Sequence, residues 1–478
     1  MNAAPRPGLT RRAVLAGAAA VGLCGRTWAG AAEGIDAILA RSRLGAVTGF
    51  AVADAASGAV IEACQGDMDR PPASAIKILT ALYALDRLGA GHRFETRLAA
   101  LGSVAGGRVG GDLALVGGGD PLLDTDALGD MVAEARAGGL VAVDGRLLAV
   151  AAPPPDLAEI EPDQPATAAY NPAISGLNLN FNRVFLAWEP GKAGPALRLS
   201  APGNRFEATL ASIGAEVADG GPPRLAVTPG REVWSFAARS VAGAGSIWLP
   251  VRAPARYAGE TMRALAEQAG LALPAPEVTA ATVAGETLVR RESQPLGPML
   301  VDMLRYSTNL TAEVVGLAAT RAGGGAPVGL AESGTAMADW ARARYGLGPL
   351  ALVNHSGLTA RTAISAAQMA RLLVAAAPGG LPAMLKERPL RDGDGNPMEI
   401  PGVRVVAKTG TLDFVSALAG YVEGPGERRR AFAIFAADLD ARAAIAPEAR
   451  DDPPGAGAFA RRARAQEQAL IRRWIALG

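Results

Sequence analysis

The texture of this chain changes twice, and that change limits its folding more than any other feature. From about residue 97 to residue 290 it is Gly- and Pro-rich and broken into short strand-like runs, at 113–116, 147–151 and 177–186, with one helical pattern at 257–269. A middle that differs in this way from both flanks reads as inserted β-rich material, with room for two small domains. The 478 residues, half of them hydrophobic, are enough for two or three domains with a substantial core.

The flanks carry longer elements. Residues 48–54 and 59–62 read as a hairpin turned at Ala56-Ser57-Gly58, and a helix follows Ser74 with apolar residues at Ile78, Leu82 and Leu85 and a stop at Gly89. Beyond residue 295 helical patterns return at 299–305, 311–320 and 366–376. Three strand-like runs then appear at 403–411, 416–422 and 431–436, the last two joined through Gly424-Pro425-Gly426. An Arg-rich amphipathic helix over 461–477 closes the chain, placed to pack back across that sheet.

The first 31 residues read as an address and not as structure. Thr10-Arg11-Arg12 is a twin-arginine pair, and the 11 apolar residues from 13 to 23 are too few to span a bilayer. Small residues at Ala29, Gly30 and Ala31 suit cleavage near Ala29 or Ala31, so that the exported chain starts near Ala32 with no transmembrane segment. Cys24 follows the bulky Leu23, which argues against lipid attachment. Once the leader is removed only Cys64 remains, and no disulfide within the chain is expected.

Composition removes several chemistries. A net charge of +1, from 47 Lys+Arg against 46 Asp+Glu, offers no basic field for nucleic acid. The two histidines, His92 and His355, lack metal-ligand spacing and read as solvated or capping side chains, so neither a multi-histidine zinc site nor another metal or cofactor site is expected. Lysine is scarce: four, at 77, 192, 386 and 408, against 43 arginines. Such a chain should keep lysine where arginine fails, and a proton-accepting amine is such a place because guanidinium does not deprotonate in proteins.

Two of those lysines sit in motifs. Ser74 and Lys77 stand three apart at a helix start, where the amine reaches the hydroxyl and the positive helix end favours both oxyanion charge and a neutral lysine. Lys408-Thr409-Gly410-Thr411 ends a Val-rich strand that can lie along an extended peptide and hold its carboxylate, with Gly410 leaving room for close backbone approach. Ser307-Thr308-Asn309 falls in a polar break between two helices. Each is weak alone: a Ser-x-x-Lys match is often a solvated helix face, and Ser-Thr-Asn is often a helix cap. Together, in this order, they match the Ser-x-x-Lys, Ser-Asp-Asn and Lys-Thr-Gly set of penicillin-binding proteins and β-lactamases.

On these motifs the sequence resembles the D-alanyl-D-alanine carboxypeptidase/endopeptidase class of low-molecular-mass penicillin-binding proteins that carries an insertion between the first two motifs, here 233 residues apart. Further matches are Val116-Gly117-Gly118-Gly119-Asp120-Pro121-Leu122-Leu123, Leu177-Asn178-Leu179-Asn180-Phe181-Asn182 and Ser356-Gly357-Leu358, so the resemblance spans the mature chain. It implies an α+β architecture: a transpeptidase/β-lactamase-like domain, with a five-stranded antiparallel sheet and helices, from residues 32–96 with 291–478. Two β-rich domains are inserted in it, one from 97–170 with 250–290 and one from 171–249.

The resemblance also implies roles. Ser74 attacks the carbonyl between two D-alanines, Lys77 takes its proton, and Ser307 relays a proton toward the leaving amine. Asn309 holds the substrate amide, Lys408 and Thr409 bind the terminal carboxylate, and the N–H groups of Ser74 and Thr411 form the oxyanion hole. The expected partners are peptidoglycan peptides and β-lactam antibiotics, in the periplasm.

Two departures bear on specificity. Thr308 replaces the usual Asp and is expected to alter packing below the site. Asn354-His355 replaces an Asp-Gly, in a loop expected to border a substrate side chain, where Arg361, displaced by Ala360, is a candidate contact. Rival readings within the fold are a β-lactamase, for which no second base is visible, and a wall-binding or β-lactam-sensing protein, which has no need of Ser74, Lys77, Ser307, Asn309 and Lys408 together.

Overall fold

The structure is a computed structural model that describes residues 33–477 apart from 153, 154, 193, 427, 447, 448, 450 and 451. The leader expected over residues 1–31 lies outside the described residues, as does Cys24. The expectation of no disulfide concerns a chain from which Cys24 has been removed with the leader.

The two flanks meet in one five-stranded antiparallel sheet. Its order is Val60–Cys64, Thr48–Asp54, Arg429–Ala437, Val415–Glu423, Arg404–Leu412, so strands from opposite ends of the chain are neighbours, with Ala51 opposite Ala433. Alternate side chains serve two cores. Phe50, Val52, Phe432, Ile434 and Leu418 face the helix Ala456–Ala476, whose Trp474 ring lies 5.8 Å from Phe50 and 5.6 Å from Phe432. Ala51, Ala433, Phe435, Ala417, Ala419 and Tyr421 face the other way, onto the helices Lys77–Leu88, Asn309–Ala322 and Ala366–Ala376. Cover on both faces explains why the strand Val415–Glu423 is buried at every position but the last.

The insert holds a second five-stranded sheet, ordered Pro276–Thr279, Leu147–Val150, Asp112–Val116, Glu95–Leu101, Glu286–Glu292. Asp112–Val116 and Leu147–Val150 are parallel, and the crossover between them contains the helix Thr125–Ala137. That helix is not among the sequence expectations, although Asp124 caps it by accepting from the Ala127 N–H and Leu128, Met131, Val132 and Ala135 form its buried stripe. A four-stranded and a three-stranded sheet occupy residues 183–250. Their Leu186, Leu249 and Trp234 join Leu98, Leu115 and Leu147 of the larger sheet in one apolar cluster.

The single strand expected over 177–186 is a correction. The strand runs Arg183–Glu189, and Asn180, Phe181 and Asn182 before it have φ of 50°, 57° and 53°. Asparagine side chains hold this left-handed run: Asn182 donates to the Ala173 carbonyl at 2.9 Å and to Asn178 Oδ1 at 2.7 Å, and Asn180 donates to Thr125 Oγ1 at 2.8 Å. Local side-chain hydrogen bonds outcompete the strand ladder here. The loop delivers Phe181 and Arg183 to the rim of the cleft described next.

Candidate active site

Ser74 lies in a short 3-10 turn, Ala73–Ile76, that runs straight into the helix Lys77–Leu88. Lys77 is fully buried. Its Nζ is 2.7 Å from each of three oxygens: Ser74 Oγ, Asn309 Oδ1 and the Ser356 carbonyl. The Asn309 and Ser356 oxygens can only accept. A neutral amine has two hydrogens for them and one lone pair, which then faces the Ser74 hydroxyl. Burial, and next the charge of Lys408, hold the Lys77 pKa well below that of an ordinary lysine, against an opposing pull from Glu313.

Lys408 is buried as well and donates to Ser307 Oγ at 2.8 Å and to the Thr409 carbonyl at 2.7 Å. Burial, then the charge of Arg388, bring its pKa down to about 7. Ser307 caps the helix Leu296–Tyr306 with φ 61°, and Asn309 opens the next helix, so the bend between them turns both side chains toward the two lysines. The strand Arg404–Leu412 ends its sheet; on its outer flank the Arg388 N–H donates to the Val405 carbonyl at 2.8 Å and the Ala407 N–H to the Lys386 carbonyl at 3.0 Å, and the stretch from Lys408 onward is the part that suits an added peptide strand. A Cβ on Gly410 would sit 2.4 Å from the Pro72 carbonyl oxygen and 2.8 Å from the Ser74 nitrogen, so only glycine lets this edge approach the Ser74 turn. Thr409 stands beside Arg388, which donates to its Oγ1 at 3.2 Å, and Thr411 is exposed on the same strand. All eight residues singled out from the sequence therefore come together around the Ser74 turn and the end of the strand Arg404–Leu412.

Two contributors escaped the sequence reading. Glu313, fully buried, accepts from the His355 and Ser356 N–H groups at 2.9 Å each and so fixes the loop whose carbonyl holds Lys77. Burial raises its pKa, against those hydrogen bonds. Its place one helical turn after Asn309, in an otherwise apolar stretch, is the only local sign of it. Arg388, from a segment without any motif, sets both the charge beside Lys408 and the Thr409 rotamer.

The departures sit differently from expectation. His355 is completely buried, with Nε2 2.7 Å from Ser333 Oγ and Nδ1 3.4 Å from Met337 Sδ, and burial pushes its pKa down to about 3. It fills the space left by Gly316, whose absent Cβ would lie 2.2 Å from the imidazole Cγ, and its side chain is turned into the core. His92 is half-buried, edge-on to Phe94 at 4.9 Å, outside the cleft. Thr308 is half-buried and lines a cavity beside the cleft instead of packing beneath it. Arg361 pairs with the buried Glu161 at 3.0 Å on the wall of a separate, larger cavity.

The insert reaches the site directly: Asn309 Nδ2 donates to the Tyr170 carbonyl at 2.9 Å. Among the described residues no cluster of three or more His, Cys, Asp or Glu forms a metal site, and no helix is long and apolar enough to cross a membrane.

Residues 31–452 match the model of the D-Ala-D-Ala carboxypeptidase 3 (S13) family. The chain is 31% identical over 440 residues to a D-alanyl-D-alanine carboxypeptidase of Actinomadura sp. (strain R39), covering 84% of this chain and 80% of that one. In fold it is similar to penicillin binding protein 4 from Haemophilus influenzae, with TM-score 0.69, 20% identity and coverage of 90% and 96% of the two chains. The same protein in complex with a novel β-lactam gives TM-score 0.70 at 19% identity, with the same coverage.

Proposed function

The chain belongs to the D-Ala-D-Ala carboxypeptidase 3 (S13) family and is a DD-carboxypeptidase hydrolase, and on that premise we propose that it works through an acyl-enzyme on Ser74. The carrying observation is the contact of Lys77 with Ser74 at 2.7 Å, in which both amine hydrogens are already committed elsewhere. As Ser74 Oγ bonds to the carbonyl carbon between two D-alanines, its proton passes to the Lys77 lone pair. The oxyanion sits on the N–H groups of Ser74 and Thr411. When the C–N bond breaks, the proton taken up by Lys77 is passed on through Ser307, which Lys408 holds in place, to the leaving nitrogen, and Lys77 is neutral again. Water then cleaves the ester, with Lys77 again the base.

Lys408 and Thr409 receive the terminal carboxylate, Gly410 allows the substrate strand to lie close, and Asn309 orients the substrate amide. The substrates on this reading are peptidoglycan stem peptides and their cross-links, so the enzyme is an endopeptidase as well, and β-lactams acylate Ser74. The catalytic unit is residues 32–96 with 291–478, and the leader directs the chain to the periplasm by the twin-arginine route.

Intact mass after incubation with a labelled penicillin tests the chemistry. A stable adduct on Ser74 that is missing in Ser74→Ala is expected. Rapid penicillin turnover would favour a β-lactamase over a peptidase, and neither adduct nor turnover would overturn the acyl-enzyme reading in favour of a binding module.

A further inference from the structure

Beside the catalytic cleft, on the far side of Ser307 and Asn309, lies a cavity of about 140 Å³. Its walls come from both parts of the molecule: Ser307, Thr308 and Asn309 from the catalytic unit, and Tyr170, Phe181 and Arg183 from the insert. Arg183 is anomalous there. Its guanidinium lies 5.0 Å from the centre of the Phe181 ring and 5.5 Å from that of Trp248, and its Nε is buried without a hydrogen-bond partner. Among the described residues no carboxylate pairs with it.

Desolvating a cation is costly unless an anion or several acceptors compensate, and aromatic faces compensate only in part. Burial accordingly lowers the Arg183 pKa. A structure that keeps such a group ordered at the wall of an open cavity has built the positive half of an ion pair and left the other half to a ligand. The residue facing the same cavity, Thr308, is Asp in the common Ser-Asp-Asn motif, so this chain also lacks the acid its second motif usually supplies.

We propose that the Arg183 cavity is a subsite for a carboxylate carried by the departing segment of the substrate. The inference rests on the reading of Ser307 as the proton donor to the leaving nitrogen. Ser307 forms part of the cavity wall, so a group seated against Arg183 belongs to the part of the peptide that leaves with that nitrogen. In a cross-link that part is a second stem peptide with carboxylates of its own, whereas in a simple stem it is a single D-alanine whose only carboxylate is taken by Lys408 and Thr409. The subsite thus favours cross-link cleavage.

The test compares kcat/KM for synthetic acyl-D-Ala-D-Glu and acyl-D-Ala-D-Gln peptides, which differ only in the charge of the leaving residue's side chain. A second pair carries Glu or Gln on the acyl side instead, before D-Ala-D-Ala. Wild type is expected to prefer the D-Glu leaving group by about tenfold, mainly through KM. Arg183→Gln should bring that ratio close to one, with partial recovery in Arg183→Lys, whereas a merely structural role would lower both rates and keep the ratio. If Arg183→Gln does not fold, Thr308→Glu, which offers Arg183 an internal carboxylate, should abolish the preference in its place. A ratio that survives in the folded variant, or a preference found only in the acyl-side pair, overturns the inference. Failure of wild type to cleave any of the four peptides would instead sink the underlying peptidase reading.

Discussion

Lys408 and Ser307 meet at 2.8 Å from positions 101 residues apart in the sequence, while the other buried lysine, Lys77, holds Ser74 and Asn309. The three short motifs are therefore one hydrogen-bonded unit with two amines in it, and after burial it is the charge of Lys408 that depresses the protonation of Lys77. The expected behaviour of variants follows from which amine is touched.

Lys77→Arg keeps a long basic side chain but cannot surrender its proton, and Lys77→Met removes the base altogether. Acylation of Ser74 by penicillin, followed by stopped-flow fluorescence or mass, should fall by about 10³-fold in both. Arg at 77 retaining more than about a tenth of the wild-type rate would remove Lys77 from the role of base.

The pH profile of kcat/KM is expected to have two limbs, one set by each lysine. Lys77 must be neutral to act, so its depressed pKa governs the acidic limb. Lys408 must be charged to hold a carboxylate, so binding weakens as pH rises through its pKa of about 7. The charge of Arg388 lowers that pKa, and Arg388→Gln should therefore raise it and move the basic limb to higher pH, read from peptide hydrolysis between about pH 5 and 10. A basic limb that stays in place or moves down would contradict the assignment.

Gly316 and His355 occupy one space. Gly316→Ala drives a Cβ to within 2.2 Å of the imidazole and should cost about 1–3 kcal/mol in denaturant unfolding. His355→Ala vacates that space and leaves Ser333 without its imidazole partner. The loss in the double variant should be smaller than the sum of the two losses by about 1 kcal/mol or more. Additivity within about 0.5 kcal/mol would mean that the two positions do not share the space.

Much of the site was legible because its motifs are local: Ser74 and Lys77 are one helical turn apart, and Lys408 to Thr411 form one strand end. The hairpin at the start, the three late strands and the closing helix were legible for the same reason, since periodicity and turn residues declare them. What escaped depends on distant partners. Glu313 acquires its role from two N–H groups on a loop reached through the fold, and Arg388 from a strand that follows it. His355 looks polar and loop-borne in sequence, yet Gly316, Ser333 and Met337 together make an apolar slot with one hydrogen bond for it. The strand boundary at Arg183 was missed because three asparagines satisfy the backbone around Phe181 in a way that no strand pattern anticipates.

The sheet order carries a consequence for the life of the protein before it reaches its substrate. Ser74 is made early, but the edge that closes on it, Arg404–Leu412, and the strand Arg429–Ala437 that joins the two ends are made late. A chain still emerging from the ribosome, or one cut short, has its nucleophile but no groove to present it in. Completion of synthesis is thus what assembles the site of this hydrolase.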